Sequence, residues 1–540
     1  MPVDDLRAAR ERQVRDSRTT RGQADSRLAR AAPARARSRW RRRRAALAAS
    51  AAGALSAVAC AAPAPAPRPT QPVTLTIGVP QSRQVDPSHG IAFLAETIAF
   101  ERLTANDAAG RTQPRLLEGW SVSADGLRWR LRVRAGVAFQ DGAPLTAADV
   151  ARTFEAAMAD EAARGASVCL PYVASVAASG DYDVEVRLAR RCAYLLDDLD
   201  RAVSRPAADG RTRIGTGAFS IVSSTPDEVV MEANRTHYLE APAIDRVVIR
   251  PYDALRTAFA DMMRGRVDFL WEVAPDAAEF LGDQRSVTVR AFPGYYAYAV
   301  TMNSARPALR AAAVRRALDA AVNREALVQQ GLRGRGVPAD GPVWPRYWAR
   351  DRAAPPPAAD AAEAAARLRA AGPIAFTCLV PANFAILERM ALLVQQQLAA
   401  FGVKMRLESA PPGAFNRRLL SGDFDAAMLS VLGGPSATVY HRFWHSPGAA
   451  RRWNYWNYRD ARVDAALEAA LEAPDDEAFR KAIGAFQGAW RDNPAAIFLA
   501  WNQTVQAVSR RFTLPPGSET RDAIHVLHGW QPEPPAGRTP

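Results

Sequence analysis

One arrangement limits the fold of this chain more than any other. A strand, a helix and a returning strand occur in succession twice, far apart, with a glycine closing each helix. In the later instance "PIAFTCLV" is an apolar run of strand length, "AILERMALLVQQQLAAF" has helical periodicity, Gly402 stops it, and "VKMRLES" returns as a strand. "AFNRRLLSG" and "FDAAMLSV" add a further helix and strand. The earlier instance runs through "RVVIRPY", then "DALRTAFADMMRGR" closed by Gly265, then "VDFLW". Strands that alternate with helices pair mostly in parallel, with both sheet faces covered. The chain therefore reads as α/β with two separate lobes. "VTLTIGVP" is the first strand, followed by the loop "QSRQVDPSHG" and a helix from about Ile91 to Leu103.

Between these units the pattern changes to a period of two. In "GLRWRLRVR", Leu127, Trp129, Leu131 and Val133 alternate with Arg128, Arg130, Arg132 and Arg134, which is a half-buried strand. Asp141-Gly142 turns the chain, and Thr146 with Asp149 forms a capping box for the next helix. Cys169 and Cys192 flank a hairpin that turns at Gly180-Asp181, so antiparallel pairing brings the two cysteines together. "GAFSIVSS" and "EVVMEAN" form another hairpin across Thr225-Pro226-Asp227. The first lobe thus carries an antiparallel insertion, at about 113–213.

Four arginines along one strand invite a nucleic-acid reading, and the charge distribution argues against it. Net charge is +14 over 540 residues, but Met1 to Arg44 holds fifteen arginines against five acids and accounts for +10. The rest is nearly balanced and has no nucleic-acid-binding signature, so those arginines are a solvated strand face. After Arg41–Arg44 comes "AALAASAAGALSAVA" and then Cys60, a basic run and a short apolar run that make an export signal. The arginine pair before Ala45 leaves the choice of export route open. "AVAC" resembles a lipobox, with Ala57 where leucine is usual, and makes Cys60 the candidate lipidated residue; simple secretion is the alternative. "AAPAPAPRPTQP" is an extended tether. Export puts the chain in a compartment where Cys169 and Cys192 can form a disulfide, whereas Cys378 lies in an apolar run as a core residue.

Enzyme motifs are scarce. The sequence has no P-loop, dinucleotide fingerprint, nucleophile elbow or Cys-x-x-Cys pair. "HRFWH" sets His441 and His445 one helical turn apart, but Arg442 stands where a zinc protease needs its glutamate. Hydrolysis is unsupported, and a two-histidine metal contact competes with a plain polar helix face. Aromatic residues cluster beside Gly, Asn and Arg in "GYYAY", "VWPRYW", "YHRFWH" and "RRWNYWNY", as in a ligand cleft with flat apolar walls.

These features come together in a resemblance to the extracellular solute-binding proteins of family 5, the peptide/nickel type that feed ABC importers. It runs from about Val73 to beyond Phe512. "PRLLEGWSVSADGLRWRLRVRAGVAFQDGAPLTAADVARTFE" is similar to that family's signature region. "IGTGAF", "YLEAPAIDRVVIRPY", "RGRVDFLW", "VRRALDAAVNREALV" and "RVDAALEAA" are similar to later family blocks, in order. The resemblance implies a two-lobed clamshell of the type II periplasmic-binding-protein class, with an extra subdomain in lobe I. The expected division is a leader over 1–59, a tether over 60–72, lobe I over 73–294, lobe II over 295–500 and a return to lobe I over 501–540.

Ligands of open α/β sheets sit beyond the strand C-termini. With the resemblance, this gives a ligand-contacting set of Ser88 and His89 in "DPSHG", Tyr295, Tyr296, Trp344, Ser430, Leu432, Gly433, Gly434, Tyr440, Trp444 and Trp501. Closure is expected about crossings near Tyr295 and Trp501. In peptide-binding relatives the segment matching Ser430 to Leu432 offers backbone hydrogen bonds to an extended ligand, and a nearby Asp pairs with its α-amino group. Gly434 stands at that Asp position, and Asp86 is the nearest substitute. "LGGPSATVYHRF" resembles nickel-type members in lacking the acid. The expected ligand is a small solute (peptide-like, metal chelate or other polar molecule) but not an ordinary free-amino peptide. The implied partners are an ABC permease and ATPase and, through Cys60, a membrane. No cofactor, catalytic residue or resident metal is expected. The protein is read as a monomer in the periplasm or on the outer face of the cytoplasmic membrane, and a sensor without transport is the alternative.

Overall fold

The computed structural model describes residues 72–80, 90–198, 201–210, 212–271, 273, 281, 284–353, 361–446, 453–519 and 521–533. The leader, Cys60 and the loop with Asp86, Ser88 and His89 lie outside them. Among the described residues the largest sheet has eleven strands. Its first part is built on Thr74–Pro80, which runs parallel to Arg246–Tyr252 on one side and to Phe269–Leu270 on the other. The helix Leu255–Met263 makes the crossover between those two neighbours. The hairpin of Phe219–Ser224 and Val229–Ala233 extends the outer edge. Leu75, Ile77, Val247 and Ile249 are fully buried in this core, and Phe512 and Trp530 join it from the end of the chain.

The far part of the sheet repeats the parallel logic. Ala375–Pro381 lies between Lys404–Ala410 and Ala426–Leu432, parallel to both. The covering helix, Ala385–Ala399, buries Leu387, Met390, Ala391, Val394 and Leu398. That spacing is one stripe of a helix, which is why the segment packs on the sheet. Cys378 is a buried free thiol in this core.

Two long antiparallel strands, Val287–Met302 and Ala496–Ser509, join the parts. Val287 to Pro293 pairs with Gln503 to Ser509, and Ala297 to Thr301 pairs with Trp501 to Ala496. The ladder is interrupted between Pro293 and Ala297. A break in the ladder removes hydrogen bonds that would otherwise stiffen both crossings at one level.

The insertion is a separate four-stranded antiparallel sheet, ordered Leu117–Val122, Arg128–Val133, Asp183–Leu188, Val173–Ser179. Arg128, Arg130 and Arg132 face out while Trp129, Leu131 and Val133 are buried. Register sets Arg130 opposite Glu185 and Arg132 opposite Asp183, and Arg132 Nη1 donates to Asp183 Oδ2 at 2.7 Å. Acids on the next strand thus answer Arg130 and Arg132, whereas Arg128 stands opposite Arg187. Thr146 and Asp149 form the capping box of the helix Ala147–Ala159. Cys169 and Cys192, both fully buried, are joined as a disulfide with their Cα atoms 5.8 Å apart. One boundary differs from the sequence reading: the helix from Ile91 ends at Ala99, not Leu103. The chain leaves the helix where Glu101 is drawn into a buried cluster with Arg115, Thr216 and Tyr238.

Candidate functional site

The strand Ala426–Leu432 positions the site. Along one edge it pairs with Tyr296 to Met302, in the register Tyr296 to Leu432, Ala297 to Val431 and Tyr298 to Ser430. Along the other edge, the ladder to Ala375–Pro381 reaches only Ala426 and Ala427. Met428 to Leu432 therefore has no strand partner on that edge among the described residues. Beyond it, the N–H groups of Gly433 and Gly434 both donate to the carbonyl of Tyr295, at 2.9 and 3.1 Å. Tyr295 sits in the interruption between the long strands, so the turn after Leu432 is tied to the crossing itself.

Glycine is required at 433. A Cβ there would lie 2.6 Å from Trp501 Cζ3 and closer still to Cη2. Trp501 is fully buried, and its indole Nε1 has no hydrogen-bond partner among the described residues. Trp344 Nε1 donates to Gly294 O at 3.0 Å, and Trp344 N donates to the Tyr440 hydroxyl at 3.2 Å. That hydroxyl donates in turn to Gly434 O at 3.3 Å. Burial pushes the Tyr440 phenol well above its ordinary range, so it stays a donor at neutral pH. The Tyr295 ring meets Trp344 edge-on, 5.4 Å between centroids. Tyr295, Trp344, Gly433, Gly434, Tyr440 and Trp501 are thus one connected group.

The remaining predicted residues are distributed around that group. Tyr296 is half-buried and donates its N–H to Asn502 Oδ1 at 3.3 Å. Ser430 is exposed on the open-edged strand, and Leu432 is half-buried at its end. Trp444 is set one ring further in. It is 1% exposed, stacks on Trp456 at 4.8 Å, meets Trp490 at 4.5 Å, and reaches Trp501 only through Phe498. Ser88, His89 and Cys60 lie outside the described residues. His441 and His445 stack at 4.3 Å on a different flank, beside Glu468 and Arg190.

Two kinds of residue escaped sequence reasoning. Asn502 fills the ladder break, packed against Gly294 so closely that a Cβ there would lie 2.7 Å from its Cγ. The switch at Asn502 from the apolar run Ala496–Trp501 to the polar Asn502, Gln503 and Thr504 was the available signal. Arg346 and Arg521 were also missed. Burial raises the Tyr295 phenol and the charge of Asp522 raises it further, while Arg346 and Arg521 oppose this from nearby. Asp522 already accepts from Gln506 and Trp271, at 2.6 and 2.9 Å.

A family model for the bacterial extracellular solute-binding proteins, family 5 (its middle region), matches residues 111–451, more than half of the chain. The chain belongs to the family 5 bacterial extracellular solute-binding proteins. Among curated family 5 relatives, the glutathione-binding protein GsiB of Salmonella typhimurium is 26% identical over 456 residues, 79% of this chain and 89% of GsiB. Solved structures agree in fold. The ABC transporter substrate-binding protein CtaP of Listeria monocytogenes superposes with a TM-score of 0.76 at 20% identity, covering 85% of this chain and 99% of CtaP. NikZ of Campylobacter jejuni, solved with Ni(L-His), gives 0.71 at 21% identity, covering 85% and 99%. The fold is therefore the two-lobed type II periplasmic-binding-protein fold. This family 5 protein is a substrate-binding component of ABC-type import, taking a small solute to a permease and ATPase, and is not an enzyme. The family is extracellular, and no helix among the described residues is long and apolar enough to cross a membrane.

Proposed function

We propose that this protein captures a small, polar, carboxylate-bearing solute against the open edge of Met428 to Leu432 and does not anchor it by a free peptide amino terminus. The open edge carries the reading, because unpaired backbone N–H and C=O groups are where an extended ligand adds hydrogen bonds. Supporting it, the Arg346 and Arg521 side chains have no acid partner among the described residues, whereas nearby Asp522 is held by three donors, from Gln506, Trp271 and Ile524. Guanidinium forks suit a carboxylate. Gly434 offers no counter-charge for an ammonium, and an ammonium buried without one is strongly disfavoured.

The lobes in this reading are 73–294 and 295–500, with 501–540 returning to the first, and the site is Tyr295, Tyr296, Trp344, Ser430, Leu432, Gly433, Gly434, Tyr440 and Trp501, together with Ser88 and His89, which lie outside the described residues. Trp444 supports the aromatic wall from behind. Glutathione, the ligand in GsiB's name, carries two carboxylates and belongs in the first screen, with a nickel–histidine chelate and short peptides.

The test is calorimetry on the denatured and refolded protein, stripped of carried-over ligand. Gly434→Asp is the informative variant. A Cβ at 434 meets Leu432 Cδ1 at 3.6 Å and Tyr295 Cβ at 3.9 Å, so a side chain fits. The variant should strengthen binding of free-amino tripeptides by about ten- to hundredfold, and of N-acetylated ones not at all. Wild-type protein that already binds peptides tightly, and loses them on acetylation, contradicts the proposal. Cys60 is proposed to carry lipid, and Cys60→Ser should then move the protein from the membrane to the soluble fraction.

A further inference from the structure

The helix Ala437–Trp444, which also gives Tyr440 to the cleft group, and the helix Ala461–Leu471 bring three metal-binding side chains together. His441 lies in the first helix and His445 caps its end, while Glu468 projects from the second. One donor atom from each residue can be chosen so that all lie within 4.8 Å of one another. His445 Nε2 is 2.8 Å from Glu468 Oε1, and His441 Nε2 is 4.0 Å from the same oxygen. A tetrahedral ion with bonds of about 2.0–2.1 Å sets its ligands roughly 3.3–3.5 Å apart, within the span of these distances. Small side-chain rotations bring the three donors onto one centre.

An ordinary His–Glu hydrogen bond does not account for the cluster. His445 is only 7% exposed, yet neither ring nitrogen has a hydrogen-bond partner among the described residues; Nε2 is close to the carboxylate but out of line with it. His441 Nδ1 is likewise buried without a partner among the described residues. Buried polar atoms are nearly always satisfied, so the orphaned His445 Nε2 beside the Glu468 carboxylate points to an occupant.

The surroundings position the acid. Arg190 from the insertion pairs with Glu468 Oε2 and with Glu472, at 2.5 Å for the latter. That leaves Oε1 turned toward the histidines. Tyr194, also from the insertion, sets its ring edge against His441 at 6.1 Å and donates its hydroxyl to Leu467 O at 3.2 Å.

We propose that His441, His445 and Glu468 form a binding site for a zinc-class divalent ion, separate from the solute cleft and at the seam between the insertion and the second lobe. Two imidazoles and a carboxylate suit zinc, with a fourth position left for water. The ion would join two helices beside the contact that Arg190 and Tyr194 make with them.

The test uses purified full-length protein stripped with chelator. Zinc titration by calorimetry should show one equivalent bound, and cobalt should give the visible absorption of a tetrahedral nitrogen–oxygen site. His445→Gln and Glu468→Gln should each weaken zinc by at least about 10- to 100-fold. Metal-free melting temperatures check that these variants remain folded. X-ray absorption on zinc-loaded wild type, counting two imidazoles, gives a reading that needs no variant. Absence of stoichiometric zinc binding overturns the proposal. So does binding that survives His445→Gln but is lost in Trp344→Ala, which would put the ion in the cleft.

Discussion

At Gly433, one missing side chain decides whether the proposed cleft wall can exist. The indole of Trp501 occupies the space a Cβ would need, and both residues are held by backbone pairing, so neither can retreat cheaply. Gly433→Ala should cost about 1–3 kcal/mol of stability, the usual penalty for overpacking a filled core. A melting curve for ligand-free protein measures this directly, and an unchanged melting temperature would show that Trp501 can move aside. Sequence reasoning placed Gly433 and Trp501 in one site but could not tell that they touch. Contact between residues so far apart depends on the register of strands that are not neighbours in the chain.

At the scale of elements, the insertion was legible because its pattern is local. Alternating burial, a turn glycine and a capping box each need only a few consecutive residues, and all three are present over Arg128–Ala159. The disulfide belongs to this scale too. Cys169 and Cys192 are 23 residues apart, and closing such a loop restricts the unfolded chain. Replacing both with serine should lower stability by ~3 kcal/mol. Denaturant unfolding of the oxidised wild type and the double variant gives the comparison, and coincident curves would refute the expectation. The helix Ile91–Ala99 shows the limit of local reading. Its apolar pattern continues past Ala99, but a buried acid cluster built from distant segments ends it.

For the whole molecule, the interrupted ladder between Pro293 and Ala297 is the point about which we propose that the two lobes close. Binding should shift an open–closed equilibrium toward the closed form, because a ligand touching both lobes favours the state in which it makes more contacts. Small-angle scattering with and without the solute should show a smaller radius of gyration on binding, and the same data report whether the particle is a monomer. An unchanged radius at saturating ligand would mean that the lobes are already fixed. Asn502 bridges the break to the Tyr296 N–H, and Gly433, Gly434 and Trp344 bond the Tyr295 and Gly294 carbonyls, so the freedom at this point is limited by these few hydrogen bonds.

The sequence by itself determined the α/β class, the two parallel units, the antiparallel insertion and the family, because periodicity, capping and turn chemistry act over a few residues and leave a readable trace. It also drew Tyr295, Trp344, Gly434, Tyr440 and Trp501 into one candidate site. Only the tertiary structure decided that Trp444 packs on Trp456 and Trp490, that Met428 to Leu432 has no strand partner on one edge among the described residues, and that Glu468 meets His441 and His445. Each of these depends on which strand or helix lies beside which. That is set by packing of the whole core, where one-residue changes of register move a side chain from buried to exposed, and no short stretch of sequence records it.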